Sequence, residues 1–151
     1  MKSNISQWDA QCASYLFEAM YDRTKNLRLA IKRLKGHQFD TIVCSGVSGI
    51  VFASPLALMM KKNLVIVRKE KDGAHSTNKV ESNVEASGVH KFIIVDDLID
   101  SGKTMKRVSG AIREWLEDEG GSADCIGVYL YHDDGFDPIS DNEYLTKLVS
   151  A

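Results

Sequence analysis

The residues best suited to chemistry stand in one short stretch, where the apolar run 92–95 ends in Asp96 and Asp97 and a small polar turn, 100–104, follows. Adjacent carboxylates suit vicinal hydroxyls, a divalent cation or a developing positive charge. They do not suit a phosphate, but the turn does, because the N–H groups that open a helix have no partners within it and lie at the positive end of its dipole. A sugar phosphate satisfies both halves.

Within the turn, we expect the main chain from Ser101 to Thr104, together with the hydroxyls of those two residues, to hold the phosphate; Gly102 and Lys103 lie between them. Other interpretations compete. Ser-Gly-Lys-Thr also ends a Walker A loop, but that motif needs a glycine where this chain has Asp97, which disfavours an ATP-dependent phosphoryl-transfer enzyme. A helix cap beside a solvated acidic turn is the purely structural alternative.

The flanking elements predict how this stretch is positioned. Apolar runs of strand character occur at 39–44, 64–68, 91–96 and 123–131, and helical stretches separate them, of which 103–119 shows the clearest helical spacing of apolar residues. No run alternates strictly between apolar and polar residues, which is typical of parallel strands covered on both faces. We therefore predict an α/β fold, a mostly parallel sheet flanked by helices, with ligands bound beyond the carboxyl ends of the strands.

The remaining segments predict a small helical part and two loops. Two helices precede the sheet, one capped by Ser6 and one spanning 24–36. A small-residue loop, 45–49, follows the first strand. Pro55 fits best in the first turn of the next helix; if that helix starts at Gly49 instead, Pro55 must kink it. The segment 69–90 is polar and lacks apolar periodicity, so we expect a loop there.

Composition bounds the class of protein. The chain of 151 residues suits a single domain, taken as 1–151 with a core at about 39–131. With 19 Lys and Arg against 21 Asp and Glu, the net charge of −2 disfavours a protein that coats nucleic acid. The 3 cysteines lack the spacing of a metal site or a disulfide framework. No apolar run is long enough to span a membrane or to act as a secretion signal, so we expect a cytoplasmic protein.

The stretch FIIVDDLIDSGKT resembles the signature with which type I phosphoribosyltransferases bind phosphoribosyl pyrophosphate (PRPP). The order of the other segments agrees from about residue 40 to 131: the loop 45–49 stands where the family has its pyrophosphate loop, and 71–88 where a mobile loop covers the site. The resemblance implies a pentosyltransferase that moves the ribose 5-phosphate of PRPP to a nucleobase and releases pyrophosphate, in nucleotide salvage or synthesis. It also implies Mg²⁺ as cofactor and a homodimer.

Carried over residue by residue, the resemblance implies that Asp96 and Asp97 hold the ribose 2- and 3-hydroxyls and are the candidates for any protein contact to Mg²⁺, which PRPP itself mainly binds. The turn from Asp100 to Thr104 would hold the 5-phosphate, and main-chain groups of Val47 and Ser48 would meet the pyrophosphate. The positive groups available on the pyrophosphate side are Arg68, Lys69, Lys71 and His75.

The nucleobase is left open between an orotate-like and a 6-oxopurine-like branch. Asp100 stands where purine enzymes have an acidic candidate base, although it could equally cap the following helix. Tyr131 could stack on a base, or it could be a packing residue at the end of a strand. A regulatory module that binds PRPP without turnover is the main alternative to an enzyme.

Overall fold

The computed structural model describes residues 22–69 and 78–150. In those ranges the chain forms four helices and six strands, with two short 3₁₀ turns. In chain order they are α1 (Arg23–Leu34), β1 (Thr41–Ser45), α2 (Gly46–Met60), β2 (Asn63–Val67), β3 (Val80–Ser82), β4 (Lys91–Asp96), α3 (Lys103–Asp118), β5 (Asp124–Leu130), β6 (Gly135–Pro138) and α4 (Glu143–Ser150). The helix expected after Ser6 lies outside the described residues.

The strands form one six-stranded sheet in the order β3-β2-β1-β4-β5-β6. The four inner strands are the four predicted ones, and they run parallel. The edge strands β3 and β6 are antiparallel to their neighbours and were not predicted. The prediction of a continuous loop over 69–90 is therefore wrong in its second half, where β3 pairs with β2. The α/β class with a mostly parallel sheet is confirmed.

Helices cover both faces of the sheet, which explains why the strands lack strict alternation. All five residues of β1 are buried. Ile42 and Cys44 pack with α1 and α2 on one face, whereas Val43 packs with α3 on the other. Strand β4 is likewise buried from Phe92 to Asp96. None of the helices in the described ranges is long and apolar enough to cross a lipid bilayer.

Helix α2 begins earlier than predicted. Ser45 ends β1, and Gly46 takes a φ of 66° and already opens the helix, so 45–49 is not a separate loop. Because one left-handed glycine turns the chain from strand to helix, Pro55 lies inside α2 and not in its first turn. The N–H groups of Val47 and Ser48 therefore belong to the first turn of a helix, where they have no partner within that helix.

Candidate functional site

The acidic pair lies at the carboxyl end of β4, in the middle of the sheet. Asp96 is only 5% exposed. Its carboxylate accepts hydrogen bonds from the main-chain N–H of Asp97 at 2.9 Å and from the hydroxyl of Ser48 at 3.3 Å. Burial, together with the neighbouring Asp97 side chain, raises the pKa of Asp96 to about 7. A solvated acidic turn does not describe this pair, so the purely structural alternative fails for Asp96.

The turn that follows has the features of an anion site. Gly102 is the N-cap residue of α3, has a φ of 79° and carries no capping side chain. The N–H of Lys103 makes only a long contact, 3.4 Å, with the hydroxyl of Ser101. Donors of the first helical turn thus remain for a ligand. Inside the turn is a small cavity of about 30 Å³, lined by Leu98, Ile99, Asp100, Ser101, Gly102, Thr104 and Met105.

Asp100 is exposed at this turn. The N-cap of α3 is Gly102 and not Asp100, so the alternative that Asp100 caps the helix is wrong. The glycine occupies that position because a left-handed φ is needed there. The role of Asp100 as a base toward a nucleobase stays a prediction.

Helix α4 closes the turn from behind. A Cβ atom on Gly102 would lie 2.8 Å from Cδ2 of Leu148 and 3.1 Å from the hydroxyl oxygen of Tyr144. Leu148 is buried, while Tyr144 is half exposed. These contacts leave little room for a side chain at position 102. The turn therefore packs directly against α4, a helix that was not predicted from the sequence.

A second group of main-chain donors lies in the first turn of α2, and Lys69 reaches it. A Cβ atom on Gly46 would lie 2.9 Å from Cε and 3.1 Å from Nζ of Lys69. Val47 is exposed in this turn, and the Ser48 hydroxyl bonds to Asp96 as described. The structure thus brings the predicted residues Val47, Ser48 and Lys69 together at the first turn of α2, and Ser48 connects that turn to the acidic pair.

The other predicted cations are distributed differently. The guanidinium of Arg68 forms an ion pair with Glu81 of β3 at 3.0 Å. The charge of Arg68 is therefore largely neutralised by Glu81 of the edge strand. Lys71 and His75 lie outside the described residues, so their assignment stays a prediction.

Sequence reasoning missed Arg107 of α3. Its guanidinium donates to the Ser45 hydroxyl at 2.7 Å and to the Arg68 carbonyl at 3.2 Å. A signal was present in the sequence, because Lys103 and Arg107 place cations near the start of α3, where the helix dipole favours acidic residues. Cations in place of acidic residues at the start of a helix are expected where an anion binds.

Tyr131 is a packing residue in this structure. Its side chain is buried, and its ring stacks on that of Phe52 with 4.7 Å between the centroids. The hydroxyl donates to the carbonyl of Ser48 at 2.7 Å. Tyr131 therefore braces the first turn of α2, and its ring face is already occupied by a neighbour.

The donor chemistry of the acidic pair suits a hard cation. Mg²⁺ prefers carboxylate oxygens and keeps several further oxygen ligands. Within the described part of the chain, no group of three or more His, Cys, Asp or Glu side chains forms a metal-binding cluster. A cation at Asp96 and Asp97 would therefore take most of its ligands from a bound oxygen-rich compound and from water.

Comparisons with known proteins agree with this geometry. A family model described as a phosphoribosyl transferase domain matches residues 18–150. The adenine phosphoribosyltransferase of Kosmotoga olearia is 34% identical over 105 residues, which cover 62% of this chain and 59% of that protein. The orotate phosphoribosyltransferase of Sulfurisphaera tokodaii is 30% identical over 122 residues, which cover 81% of this chain and 58% of that protein. This chain thus spans less than two thirds of the length of either relative.

The fold is also similar to that of a solved structure. The crystal structure of the adenine phosphoribosyltransferase from Thermoanaerobacter pseudethanolicus matches with a TM-score of 0.50 and 22% identity. The match covers 75% of this chain and 72% of that one. At this identity the likeness concerns the arrangement of helices and strands.

Proposed function

The chain belongs to the phosphoribosyl transferase domain family, and on that premise we propose that it transfers the ribose 5-phosphate of PRPP to a nucleobase and releases pyrophosphate. The hydrogen bond from Ser48 to Asp96 supports this most, because it joins the donor-rich turn of α2 to the acidic pair. PRPP carries a pyrophosphate, two vicinal hydroxyls and a phosphate along one sugar. The site offers complementary groups in the same order: the main-chain donors of the α2 turn, the carboxylates of Asp96 and Asp97, and the main-chain donors of the turn from Ser101 to Thr104.

In this proposal each part of the site handles one part of the substrate. The turn from Ser101 to Thr104 holds the 5-phosphate, and Asp96 and Asp97 accept hydrogen bonds from the ribose hydroxyls. The first turn of α2, with Lys69 across it, holds the pyrophosphate. Holding both charged ends orients the ribose carbon at which substitution occurs. The nearby carboxylates stabilise the positive charge that develops on the sugar as pyrophosphate leaves.

We propose Mg²⁺ as the cofactor. When bound, it neutralises negative charge on the pyrophosphate. Asp96 and Asp97 would hold it together with oxygens of PRPP. Because burial raises the pKa of Asp96 to about 7, a ligand that needs the ionised carboxylate binds with loss of a proton near neutral pH.

On the nucleobase side, Asp100 is the proposed base. It is exposed in the turn that follows the acidic pair, and it would exchange a proton with a ring nitrogen of a purine. The relatives include adenine and orotate enzymes, so the test must include both purines and pyrimidines.

We further propose that the protein acts as a cytoplasmic homodimer. On α2, Leu58 is 81% exposed and Met59 is 49% exposed, and a second copy would cover these apolar side chains. Sedimentation equilibrium measures the mass directly. A monomer at assay concentration contradicts the dimer without bearing on the reaction.

The reaction is tested by measuring pyrophosphate release from PRPP and Mg²⁺ with orotate, uracil, adenine, guanine, hypoxanthine and xanthine in turn. We expect release with at least one base, in equal amount to the nucleotide formed. Binding of PRPP without release for every base would favour the regulatory module. Consumption of ATP without pyrophosphate release from PRPP would favour a phosphoryl-transfer enzyme.

A further inference from the structure

We infer that Arg107 positions the pyrophosphate side of the site by joining the ends of β1 and β2, and that the pyrophosphate is the counter-charge for its guanidinium. The inference rests on the proposed function and adds a residue to it. Arg107 lies on α3, between the phosphate turn and the body of the helix. It was not among the residues predicted from the sequence.

The contacts of Arg107 connect three elements. Nη2 donates to Oγ of Ser45, the last residue of β1, at 2.7 Å. Nη1 donates to the carbonyl of Arg68, directly after β2, at 3.2 Å. The Ser45 hydroxyl in turn donates to the carbonyl of Val67 at 2.6 Å. One planar guanidinium therefore fixes the spacing of two adjacent strand ends.

Arg107 donates to Ser45 and Arg68, and each of these directly precedes a residue that lies at the first turn of α2. Ser45 precedes Gly46, and Arg68 precedes Lys69. The Lys69 side chain lies across Gly46, close enough that a Cβ atom there would be 2.9 Å from Cε. Losing the Arg107 contacts would free the two strand ends to shift relative to each other, and with them the Lys69 cation relative to the α2 turn.

Among residues 22–69 and 78–150, no carboxylate forms an ion pair with Arg107. The residue is half buried, and both of its hydrogen-bond acceptors are neutral oxygens. A partly desolvated guanidinium near the positive end of a helix dipole is unfavourable without an anion. A pyrophosphate bound at the α2 turn would relieve this cost.

Calorimetric titration of the full chain with three ligands tests the inference: PRPP, inorganic pyrophosphate and ribose 5-phosphate, all with Mg²⁺. For Arg107→Met we expect the dissociation constants of PRPP and pyrophosphate to rise about tenfold, because a charge-assisted contact is lost. The affinity for ribose 5-phosphate should stay within about twofold. Arg107→Lys keeps the charge and should recover part of the loss.

Two variants keep the outcome clear. Lys106→Met removes an equal charge from an exposed neighbour on α3, and we expect all three affinities to stay within about twofold. Ser45→Ala removes one acceptor but keeps Arg107, and it carries the test if Arg107→Met does not fold; we expect pyrophosphate affinity to fall about threefold. Thermal melts monitor folding.

The inference is overturned if the Arg107 and Ser45 variants bind pyrophosphate like the wild type. It is also overturned if they weaken ribose 5-phosphate as much as pyrophosphate, since that would indicate a general structural role. If the wild-type protein binds pyrophosphate but never PRPP, the proposed reaction fails while the role of Arg107 toward an anion is still measured. If the wild type binds neither, both fail.

Discussion

Replacing Gly102 with alanine probes the phosphate turn and its support at once. A φ of 79° costs an alanine about 1–2 kcal/mol. The new Cβ atom would lie 2.8 Å from Leu148 and 3.1 Å from the Tyr144 hydroxyl, and such overpacking costs about 1–3 kcal/mol. We therefore expect the free energy of unfolding, measured in urea, to fall by about 2–5 kcal/mol. We also expect the affinity for ribose 5-phosphate to fall, because the turn must move.

A double-mutant cycle separates the two contributions. In a Leu148→Ala background only the 3.1 Å approach to the Tyr144 hydroxyl remains, so Gly102→Ala should cost little more than the backbone part, about 1–2 kcal/mol. Gly110→Ala is the matched control: it lies within α3 and a Cβ atom there meets nothing within 4 Å. We expect that control to stabilise the protein by about 0.5–1 kcal/mol.

Either of two results would refute this reasoning. An equal cost of Gly102→Ala with and without Leu148 would show that α4 does not press on the turn. An unchanged affinity for ribose 5-phosphate would contradict the assignment of the turn to the phosphate. If Gly110→Ala also lowered the free energy of unfolding, a methyl group would destabilise this helix even without a close contact. The cost of Gly102→Ala could then not be assigned to Leu148.

Three further predictions concern the acidic pair and its neighbours. Asp96→Asn with Asp97→Asn should abolish pyrophosphate release while the melting temperature changes little, and a collapsed melting temperature would instead reveal a structural role. Folding raises the pKa of Asp96 from 3.8 to about 7, so in metal-free protein its contribution to stability is complete below pH 3.8 and is lost as the pH rises to about 7. Urea unfolding across this range should show that loss in the wild type and not in Asp96→Asn, and parallel curves would argue against the shift. Tyr131→Phe removes the hydrogen bond to Ser48 and should lower stability by about 1 kcal/mol. Its KM for the nucleobase should stay constant, whereas a large rise would show that the Tyr131 hydroxyl contributes to binding the base.

The central strand and the acidic pair could be predicted from sequence because local signals agree there. An unbroken apolar run is buried on both faces, and β4 ends at Asp96, as the change from apolar to charged residues predicted. Gly102 marked the turn because its position needs a left-handed backbone. These features depend on neighbours in the chain.

The features that sequence missed depend on distant partners. β3 and β6 are short edge strands that exist because β2 and β5 offer main-chain partners, and β6 ends at Pro138, which a central strand would not tolerate. The bond between Arg107 and Ser45 joins residues 62 positions apart. Nothing in one sequence identifies such a pair.

The packing of Leu148 against Gly102 has a consequence for how the protein is made. During synthesis the whole sheet, with its carboxylates, leaves the ribosome before residues 143–150 do. Until α4 docks, the turn at Gly102 lacks the packing of Leu148. A nascent chain therefore forms the sheet before this turn, the proposed phosphate site, is held in place.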